Sequence, residues 1–331
     1  MNRKYLKMGF DYLRGRFFFS STFITSDCTC KCIMCNFWRM EKAYMSRDLF
    51  IKTLDVLSEL GANTTSLTGG EPMKHPLFYE FVKLASRRGF YVTCSTNGTL
   101  LSKKNVQKMK ESGMDEVYVS VDSLDTKISS WIRGFPSHVN FALKGVELLR
   151  KNGISRNVHV LLGRHNLHSF PNIVIHLSEN YDTSTVLVFP DVGVGPLDET
   201  FEGAPNFDFT PQEITCLVDE LISLKKHGYL VNNSIQYLTD IKRAYLGKER
   251  LIPCLAGKYY VNIYWDGRVT PCFKIQNSIP IDELQQEHLQ SIPGCYDCLL
   301  TCFFEMSFIS DCIKKRKYLT ALRTHTFKEL F

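Results

Sequence analysis

The sequence predicts an α/β fold, a partial (β/α)6 TIM-like barrel, and two observations support that prediction. Runs rich in β-branched and aromatic residues recur along the first 190 positions, and an amphipathic helical pattern follows each of them. Alternating strands and helices require right-handed crossovers between parallel strands. Six strand–helix units suit a partial barrel, while a doubly wound sheet fits the same periodicity almost as well.

The individual elements have clear limits in the sequence. Four helical stretches each end at a glycine, the residue most often found just beyond a helix C-terminus. They read SRDLFIKTLDVLSELG, LFYEFVKLASRRG, SKKNVQKMKESG and VNFALKGVELLRKNG. The six predicted strands cover residues 17–25, 64–68, 91–95, 116–121, 157–162 and 185–189.

The strand–helix alternation stops after Pro190. The segment DVGVGPLDETFEGAPNFDFTP is rich in Gly, Pro and Asp and predicts a linker, after which two helices are expected. KYYVNIYWDGRVTPC then predicts a β-hairpin that turns at its DG dipeptide. The predicted division is a basic, aromatic segment at 1–16, the barrel at 17–200, linker helices at 201–250, a cysteine-rich extension at 251–312 and a tail at 313–331.

Length and composition exclude several classes of protein. The chain has 331 residues, 44% of them hydrophobic, which is enough for a full buried core. Its net charge of +6 is spread along the chain, so we expect no nucleic-acid partner. No apolar run approaches the roughly 18 residues that span a bilayer, and charges interrupt the basic N-terminus before a signal peptide could form. Twelve cysteines at short spacings then indicate a cytoplasmic metalloprotein.

Four of these cysteines lie within CTCKCIMC, directly after the first predicted strand. Cys28, Cys32 and Cys35 are separated by three residues and then by two, and Cys30 interrupts this spacing as a bystander thiol. Three thiolates on one loop hold three irons of a [4Fe–4S] cluster and leave the fourth iron open, which predicts that another molecule binds there. A zinc knuckle or a redox pair is the alternative, although zinc sites usually show paired CxxC elements.

Three further motifs give the chain a resemblance to the radical SAM superfamily over about residues 17–190. TGGEP at 68–72, STNG at 95–98 and VSVD at 119–122 follow the cysteine triplet in order, each at the end of a predicted strand. The resemblance implies that the triplet ligates a [4Fe–4S] cluster whose open iron chelates S-adenosylmethionine (SAM). Reduction by an external donor of the flavodoxin or ferredoxin type then cleaves SAM to methionine and a 5′-deoxyadenosyl radical, which abstracts hydrogen from a substrate.

The residue types in these motifs suit the binding of SAM. Gly69 and Gly70 allow a ligand to approach the backbone closely, and Glu71 can accept from an ammonium group. Ser120 and Asp122 share one face of a predicted strand, where they can bond ribose hydroxyls. The remaining candidates are Thr96 and Asn97 at the methionine end, Arg133 and Arg164 for the carboxylate unless they are surface arginines, and, from the family pattern, the backbone of Phe37 near adenine.

A second group of cysteines surrounds the predicted hairpin. Cys254 and Cys272 lie at its two ends, and GCYDCLLTC supplies three more. The region at about 251–312 resembles the SPASM/Twitch extension in a short form with one auxiliary [4Fe–4S] cluster, although zinc would suit a four-thiolate cage as well. The predicted ligands are Cys254, Cys272, Cys295 and Cys298, with Cys302 as the alternative to one of the last pair and Cys312 as a spare thiol.

The sequence leaves the substrate open. The extension slightly favours modification of a ribosomally made peptide, with a lipid or a small molecule as the alternative. The basic N-terminus indicates a peripheral membrane contact, or a helix that covers the bottom of the barrel. A non-catalytic iron–sulfur or zinc protein would leave TGGEP and STNG unexplained. The polar residues near the predicted cavity that are candidates for an acid or base acting on the substrate are Asp191, Tyr260 and Glu305.

Overall fold

One open sheet organises the chain, which this computed structural model describes at residues 19–190, 207–275, 277–290 and 294–314. Six parallel strands stand in the sheet in the order of the sequence. All six predicted strands are confirmed, with each end within two residues of its predicted position. They are β1 Phe19–Thr25, β2 Thr64–Gly69, β3 Tyr91–Thr96, β4 Glu116–Ser120, β5 Ser155–Leu161 and β6 Ser184–Val188.

The strand order decides between the two predicted architectures. A doubly wound sheet reverses its strand order at a switch point, and its helices then cover both faces. From β1 to β6 the order never reverses. Right-handed crossovers that all proceed in one direction keep the helices on one outer face, which is the arrangement of a barrel. The partial barrel is therefore confirmed, and its sheet is not closed.

The helices begin and end where the local sequence predicts. Ser46 and Ser102 accept from backbone N–H groups of the first turn at the N-termini of two helices. The four glycines predicted to follow helices all have positive φ. In the described part of the chain no helix is long and apolar enough to cross a membrane. The helices are α1 Arg47–Glu59, α2 Phe78–Arg87, α3 Lys103–Ser112, α4 Thr126–Arg133, α5 His138–Lys151, α6 Phe170–Tyr181, α7 Pro211–Lys226, α8 Ile235–Tyr245, α9 Gln286–Gln290 and α10 Thr301–Lys314.

The predicted hairpin is confirmed, and it extends the main sheet. Strands β7 (Tyr260–Ile263) and β8 (Arg268–Thr270) are antiparallel, and Gly267 in their turn has a φ of 86°. A short strand, β9 (Ile279–Pro280), follows β8. Strand β7 also pairs in parallel with β1, so the hairpin continues the sheet beyond its first strand. The Phe19 and Tyr260 rings stack across this junction with centroids 5.1 Å apart.

The two faces of the sheet differ in polarity. Val117 and Val119 point from β4 toward the helices and are completely buried. The alternate residues face the interior of the barrel, where the Glu116 carboxylate accepts from Tyr118 Oη at 3.0 Å and from Asn157 Nδ2 at 2.7 Å. Because side chains alternate along a strand, a hydrophobic outer layer and a polar interior follow from one pattern.

The outer layer depends on close aromatic packing between α1 and α2. The Phe50 and Phe81 rings stack with centroids 4.0 Å apart, and both are fully buried. We expect Phe50→Ala to lower the free energy of unfolding by about 3–5 kcal/mol, because it leaves a cavity between two helices. Phe141→Ala is the matched control, since that ring is 46% exposed, and should cost less than about 1 kcal/mol. Urea unfolding followed by circular dichroism compares them; equal losses would contradict this packing.

Candidate functional site

The loops that follow β1, β2 and β3 meet at one rim of the barrel. Gly70 N donates to Thr25 O and Glu71 N donates to Asp27 O, each at 2.8 Å, so the TGGEP loop lies against the start of the cysteine loop. A Cβ at Gly70 would lie 2.3 Å from Asp27 O. Glycine at this position is therefore required by the contact between two loops, and the same holds for Gly69, whose Cβ would lie 2.1 Å from Thr25 O.

The cysteine loop is held on its other side by the end of α4. Lys31 N donates to Arg133 O at 3.1 Å, and Ile33 N donates to Ile132 O at 3.0 Å. Trp38 Nε1 donates to Cys32 O at 3.0 Å and closes the loop from a third direction. Cys30, the predicted bystander, is buried against Ile132 in an apolar cluster. The backbone of the loop is thus anchored independently of what its thiols bind.

The thiols of the loop lie in an environment that keeps most of them protonated unless a cation is near. Burial raises the pKa of Cys28 to about 11 and that of Cys35 to about 12. The Cys30 thiol donates to the Cys32 sulfur and lowers the pKa of Cys32, as does the nearby Arg133 guanidinium, whose Nη1 lies 4.0 Å from that sulfur. A bound metal centre would supply the missing positive charge, because a coordinating thiol is deprotonated.

Glu71 is a buried carboxylate without a cationic partner. Its side chain is fully buried, and it accepts from Thr96 Oγ1 at 2.9 Å, Asn97 N at 2.9 Å and Met73 N at 3.3 Å. Desolvation outweighs these hydrogen bonds and raises the pKa of Glu71 to about 7. No Lys or Arg among the residues placed by the structure forms an ion pair with it.

Asn97 joins the STNG loop to the first cysteine. Its Nδ2 donates to Thr29 Oγ1 at 2.9 Å and lies 3.6 Å from Cys28 Sγ, while its Oδ1 accepts from Thr99 N at 2.9 Å. His138 holds the backbone, since its Nε2 donates to Asn97 O at 2.8 Å. Burial lowers the pKa of His138 to about 4, so the ring is neutral at physiological pH. No sequence motif marked His138, because its role comes from contacts between distant elements.

Asp122 and Arg133 form a buried ion pair next to the cysteine loop. Arg133 Nε lies 2.6 Å from Asp122 Oδ2, and the two side chains are 12% and 0% exposed. The alternative of a surface arginine is therefore excluded for Arg133. Apart from this ion pair, neither Arg133 Nε nor Asp122 Oδ2 has a hydrogen-bond partner among the described residues. Ser120 lies two residues before Asp122, half-buried on the inner face of β4.

Other predicted residues have partners of their own. Arg164 forms an ion pair with Glu213, which also belongs to the capping box at the start of α7. Glu305 accepts from Ser234 N at 2.9 Å, and burial raises its pKa to about 7. These contacts give Arg164 and Glu305 positions in the scaffold. The structure places the remaining predicted residues as follows: Tyr260 bonds Ser21 Oγ on the inner face, Phe37 stacks on Phe23 at 5.8 Å, and Asp191 lies outside the described residues.

Two histidines near the Asp122–Arg133 pair were missed by the sequence analysis. The His159 ring stacks on Tyr118 at 4.5 Å inside the barrel, and burial lowers its pKa to about 4. The buried Nε2 atom of His165 has no hydrogen-bond partner within the described ranges. His159 alternates with apolar residues on β5, and His165 follows the C-terminal end of that strand. These positions are the only signals that the sequence offers for them.

The second group of cysteines also converges. Cys254 N donates to Cys295 O at 2.7 Å, and Cys295 N donates back to Cys254 O at 3.3 Å. Burial raises the pKa of Cys254, and the nearby thiols of Cys298, Cys295 and Cys302 raise it further. Burial likewise raises the pKa of Cys272, with a smaller contribution from Cys295. Five thiols therefore share one region, whereas the side chain of Cys312 lies outside the described part of the structure.

Both cysteine groups contain free thiols. Every cysteine whose side chain is described is unpaired. Within those same residues, no three Cys, His, Asp or Glu side chains already have the spacing of metal ligands. The loops bring the thiols of each group into proximity, and ligation of a metal centre would require their side chains to adjust.

Comparison with known proteins identifies the family. A family model described as the radical SAM superfamily matches residues 22–176. A "tungsten-containing aldehyde ferredoxin oxidoreductase cofactor-modifying protein" from Pyrococcus furiosus is 30% identical over 264 residues, which are 76% of this chain and 69% of that protein. The chain belongs to the radical SAM superfamily.

Other relatives of this radical SAM enzyme differ in extent. An "AdoMet-dependent heme synthase" from Nitratidesulfovibrio vulgaris is 30% identical over 153 residues, 45% of this chain and 42% of that protein, so the match spans less than half of it. The crystal structure of Streptococcus suis SuiB bound to S-adenosylmethionine has a TM-score of 0.66 at 14% identity and covers 88% of this chain and 71% of SuiB. That likeness shows a shared fold.

The radical SAM family implies a [4Fe–4S] cluster, SAM and an external electron donor, and the rim fits the first two. The cysteine loop offers thiol sulfur, the donor that iron–sulfur clusters use. Glu71 lacks a cation, and the Nε2 atom of His165 lacks a partner in the described chain. Such unmatched polar groups are usual where a ligand completes the site.

The desolvation of Glu71 predicts a pH-dependent stability. Its folded pKa of about 7 lies above the ordinary 4.5, so its contribution to stability is fully present below about pH 4.5 and is lost as pH rises through 7. The amide of Glu71→Gln does not titrate, so the variant does not lose stability in this way. Relative to wild type, we expect the free energy of unfolding of the variant to rise by about 2 kcal/mol from pH 5 to pH 8.

Urea unfolding of reduced, metal-free protein at several pH values measures this difference. Glu59→Gln, at the exposed end of α1, is the control and should follow the wild type at every pH. Parallel curves for Glu71→Gln and wild type would show that Glu71 is not the buried, destabilised carboxylate described above.

Proposed function

We propose that this radical SAM enzyme binds a [4Fe–4S] cluster through Cys28, Cys32 and Cys35 and cleaves SAM reductively to abstract hydrogen from a substrate. The supporting observation is the meeting of this cysteine loop with Glu71 and Asn97 at one rim of the barrel. A purely structural iron or zinc site would have no use for a fully buried carboxylate without a cation, which is costly to maintain.

Each group at the rim has a role that its surroundings support. When bound, the cluster supplies the electron that cleaves SAM. Glu71 accepts from the SAM ammonium, which provides the missing positive charge. Asp122 bonds the ribose hydroxyls together with Ser120, and the guanidinium of Arg133, next to Asp122, binds the SAM carboxylate. We assign Asn97 to the Cys28 sulfur, because both ends of its side chain already have partners in the loop.

The remaining predicted SAM-binding residues lie around Glu71, just beyond the cysteine loop, or beside the start of α7. Thr96 donates to Glu71 and orients the carboxylate, while Gly69 and Gly70 seat the loop that carries it. Phe37 keeps its proposed backbone contact with adenine, since the residue lies two positions beyond Cys35 and its buried ring fixes the backbone there. Arg164 is left out of the proposed site because Glu213 already holds it.

The hairpin region is proposed to hold one auxiliary [4Fe–4S] cluster. The support is the convergence of five thiols, three of which (Cys254, Cys272 and Cys302) have their pKa raised by burial. The proposed ligands are Cys254, Cys272, Cys295 and Cys298. Cys302 is the alternative to Cys295 or Cys298. It lies beside the Tyr260 hydroxyl, which forms a hydrogen bond with the Cys302 sulfur. Reduced thiols and iron–sulfur clusters suit a cytoplasmic enzyme with a flavodoxin or ferredoxin as its donor.

Two substrate classes have support. A peptide is proposed because SuiB, which shares this fold, has also been solved bound to its precursor peptide SuiA, with a TM-score of 0.62. A small molecule such as a cofactor is the second candidate, since the Pyrococcus relative is named as a cofactor-modifying protein. We also propose that the chain divides at residues 200, 250 and 312. The proposed membrane contact is made by residues 1–16, which lie outside the described residues.

Removal of the cysteine ligands tests the assignment of both clusters. Cys28→Ala/Cys32→Ala/Cys35→Ala should lower the iron content from about 8 to about 4 per reconstituted chain and abolish 5′-deoxyadenosine formation from SAM with dithionite. Cys30→Ala is the matched control and should retain both. Cys254→Ala/Cys298→Ala should also lose about 4 irons. If the triple variant still forms 5′-deoxyadenosine, the assignment of the SAM-binding cluster is refuted. If the second site of Cys30→Ala holds zinc in place of iron, the assignment of the auxiliary cluster is refuted.

The role of Glu71 predicts how SAM affinity depends on pH. Because the ammonium of SAM binds the ionised carboxylate, affinity should fall up to about tenfold per pH unit below pH 7. Glu71→Gln should weaken binding about 10- to 100-fold at pH 7.5 and remove this dependence. Equilibrium dialysis of radiolabelled SAM against reconstituted protein measures both effects, with Glu59→Gln as the control. An unchanged affinity in Glu71→Gln would exclude the contact.

A further inference from the structure

A basic and aromatic surface lies directly beside the cysteine loop. It comprises Lys31 on that loop, Lys127 and Trp131 on α4, and Phe141 and Lys144 on α5. Trp131 is 54% exposed and Phe141 is 46% exposed, and the three lysines are exposed as well. We call these five residues the basic–aromatic face.

The elements that carry the basic–aromatic face lie next to one another. The backbone pairing of the cysteine loop with the end of α4 brings Lys31 against that helix. Lys127 and Trp131 are four residues apart in α4, so they occupy one side of the helix. The Phe135 ring, just beyond α4, contacts the Phe141 ring with centroids 5.5 Å apart, and Lys144 follows one turn later on α5.

The charge of this face is not neutralised by the rest of the chain. No ion pair involves Lys31, Lys127 or Lys144 in the part of the chain that the structure covers. The acidic residues at the start of α4 and on α5 have other partners. Asp125 caps α4 by accepting from Lys127 N at 2.8 Å, and Glu147 binds Arg150 and Lys151. Three free lysines around two exposed aromatic rings are typical of a surface that binds an acidic protein.

The position of the face relates it to the redox site. Lys31 is flanked in the chain by Cys30 and Cys32, so its Cα lies about 3.8 Å from the Cα of a proposed cluster ligand. A partner seated on this face therefore touches the backbone of the loop that carries the proposed cluster. The proposed cluster must be reduced by one electron from an external donor before it can cleave SAM.

We propose that the basic–aromatic face is the docking site of an acidic one-electron carrier protein. The carrier loses one electron, and a flavin hydroquinone becomes the semiquinone while the [4Fe–4S]2+ cluster becomes [4Fe–4S]+. Lysines steer the encounter, and Trp131 and Phe141 supply the apolar contact that holds the complex. This inference rests on the proposed function of the cysteine triplet.

Stopped-flow reduction of the reconstituted enzyme by a purified flavodoxin hydroquinone tests the proposal. Lys127→Glu/Lys144→Glu should lower the second-order rate constant about tenfold or more at low ionic strength, and the difference should shrink as salt is added. Trp131→Ala should lower the rate with little change in its salt dependence. The control, Lys83→Glu/Lys104→Glu, makes the same change in charge on α2 and α3 and should react like the wild type.

Reduction with dithionite distinguishes a variant that has lost carrier docking from one that has lost SAM cleavage. With dithionite and SAM, all variants should form 5′-deoxyadenosine at the wild-type rate, because a small reductant needs no docking site. Equal flavodoxin rates in Lys127→Glu/Lys144→Glu and the control would overturn the docking proposal. So would variants that keep the flavodoxin rate and instead lose sedimentation with phosphatidylserine vesicles, which would mark a membrane surface. Absence of 5′-deoxyadenosine from the wild type with both clusters loaded would refute the proposed function itself.

Discussion

The contact between the cysteine loop and the loop after β2 determines the geometry of the whole rim. Two backbone hydrogen bonds, from Gly70 N to Thr25 O and from Glu71 N to Asp27 O, join these loops at 2.8 Å. Neither would form if residue 70 carried a side chain, since a Cβ there would overlap Asp27 O. The same contact buries Glu71 beneath the STNG loop. One interaction thus places the thiols, the buried carboxylate and Asn97 relative to one another, and the end of α4 then secures the cysteine loop from outside.

Several groups at this rim are electrostatically unfavourable in the folded state. Glu71 is buried without a cation, Cys28 and Cys35 are half-buried thiols whose desolvation raises their pKa, and the Asp122–Arg133 pair is largely shielded from water. Each of these groups lowers the stability of the folded chain, and a stability-optimised protein would replace them with apolar residues. Their coincidence at one place follows if a ligand with a cationic ammonium and a metal centre with positive charge completes the site. Strongly perturbed groups that cluster in this way are characteristic of functional sites.

Local patterns were sufficient for the six strands and for the motifs of the rim. Period-two alternation and glycine-terminated helices are short-range signals, and the motifs fall at strand ends that the alternation itself marks. Contacts between distant segments were not predictable. The parallel pairing of β7 with β1 joins residues some 240 positions apart. His138 owes its role to the Asn97 carbonyl in the loop after β3, and Arg164, chosen by residue type alone, has Glu213 as its partner. The identity of a residue predicts which bonds it can form, and the fold decides which partners are within reach.

The pairing of β7 with β1 has a consequence for the two cysteine groups. Phe37, just beyond the first group, stacks on Phe23 of β1, and Phe23 contacts Phe273, the residue after Cys272, at 6.1 Å. Phe273 in turn contacts Phe303, next to Cys302, at 5.5 Å. A continuous aromatic layer, in which Phe273 is half-buried and the other rings are buried, therefore connects the two groups across a strand pair of the same sheet. Because packed interiors deform little, the separation between the two groups is set by the fold. If the proposed auxiliary cluster is bound there, this constant separation suits electron transfer between the two clusters, whereas a flexibly tethered module would not provide it.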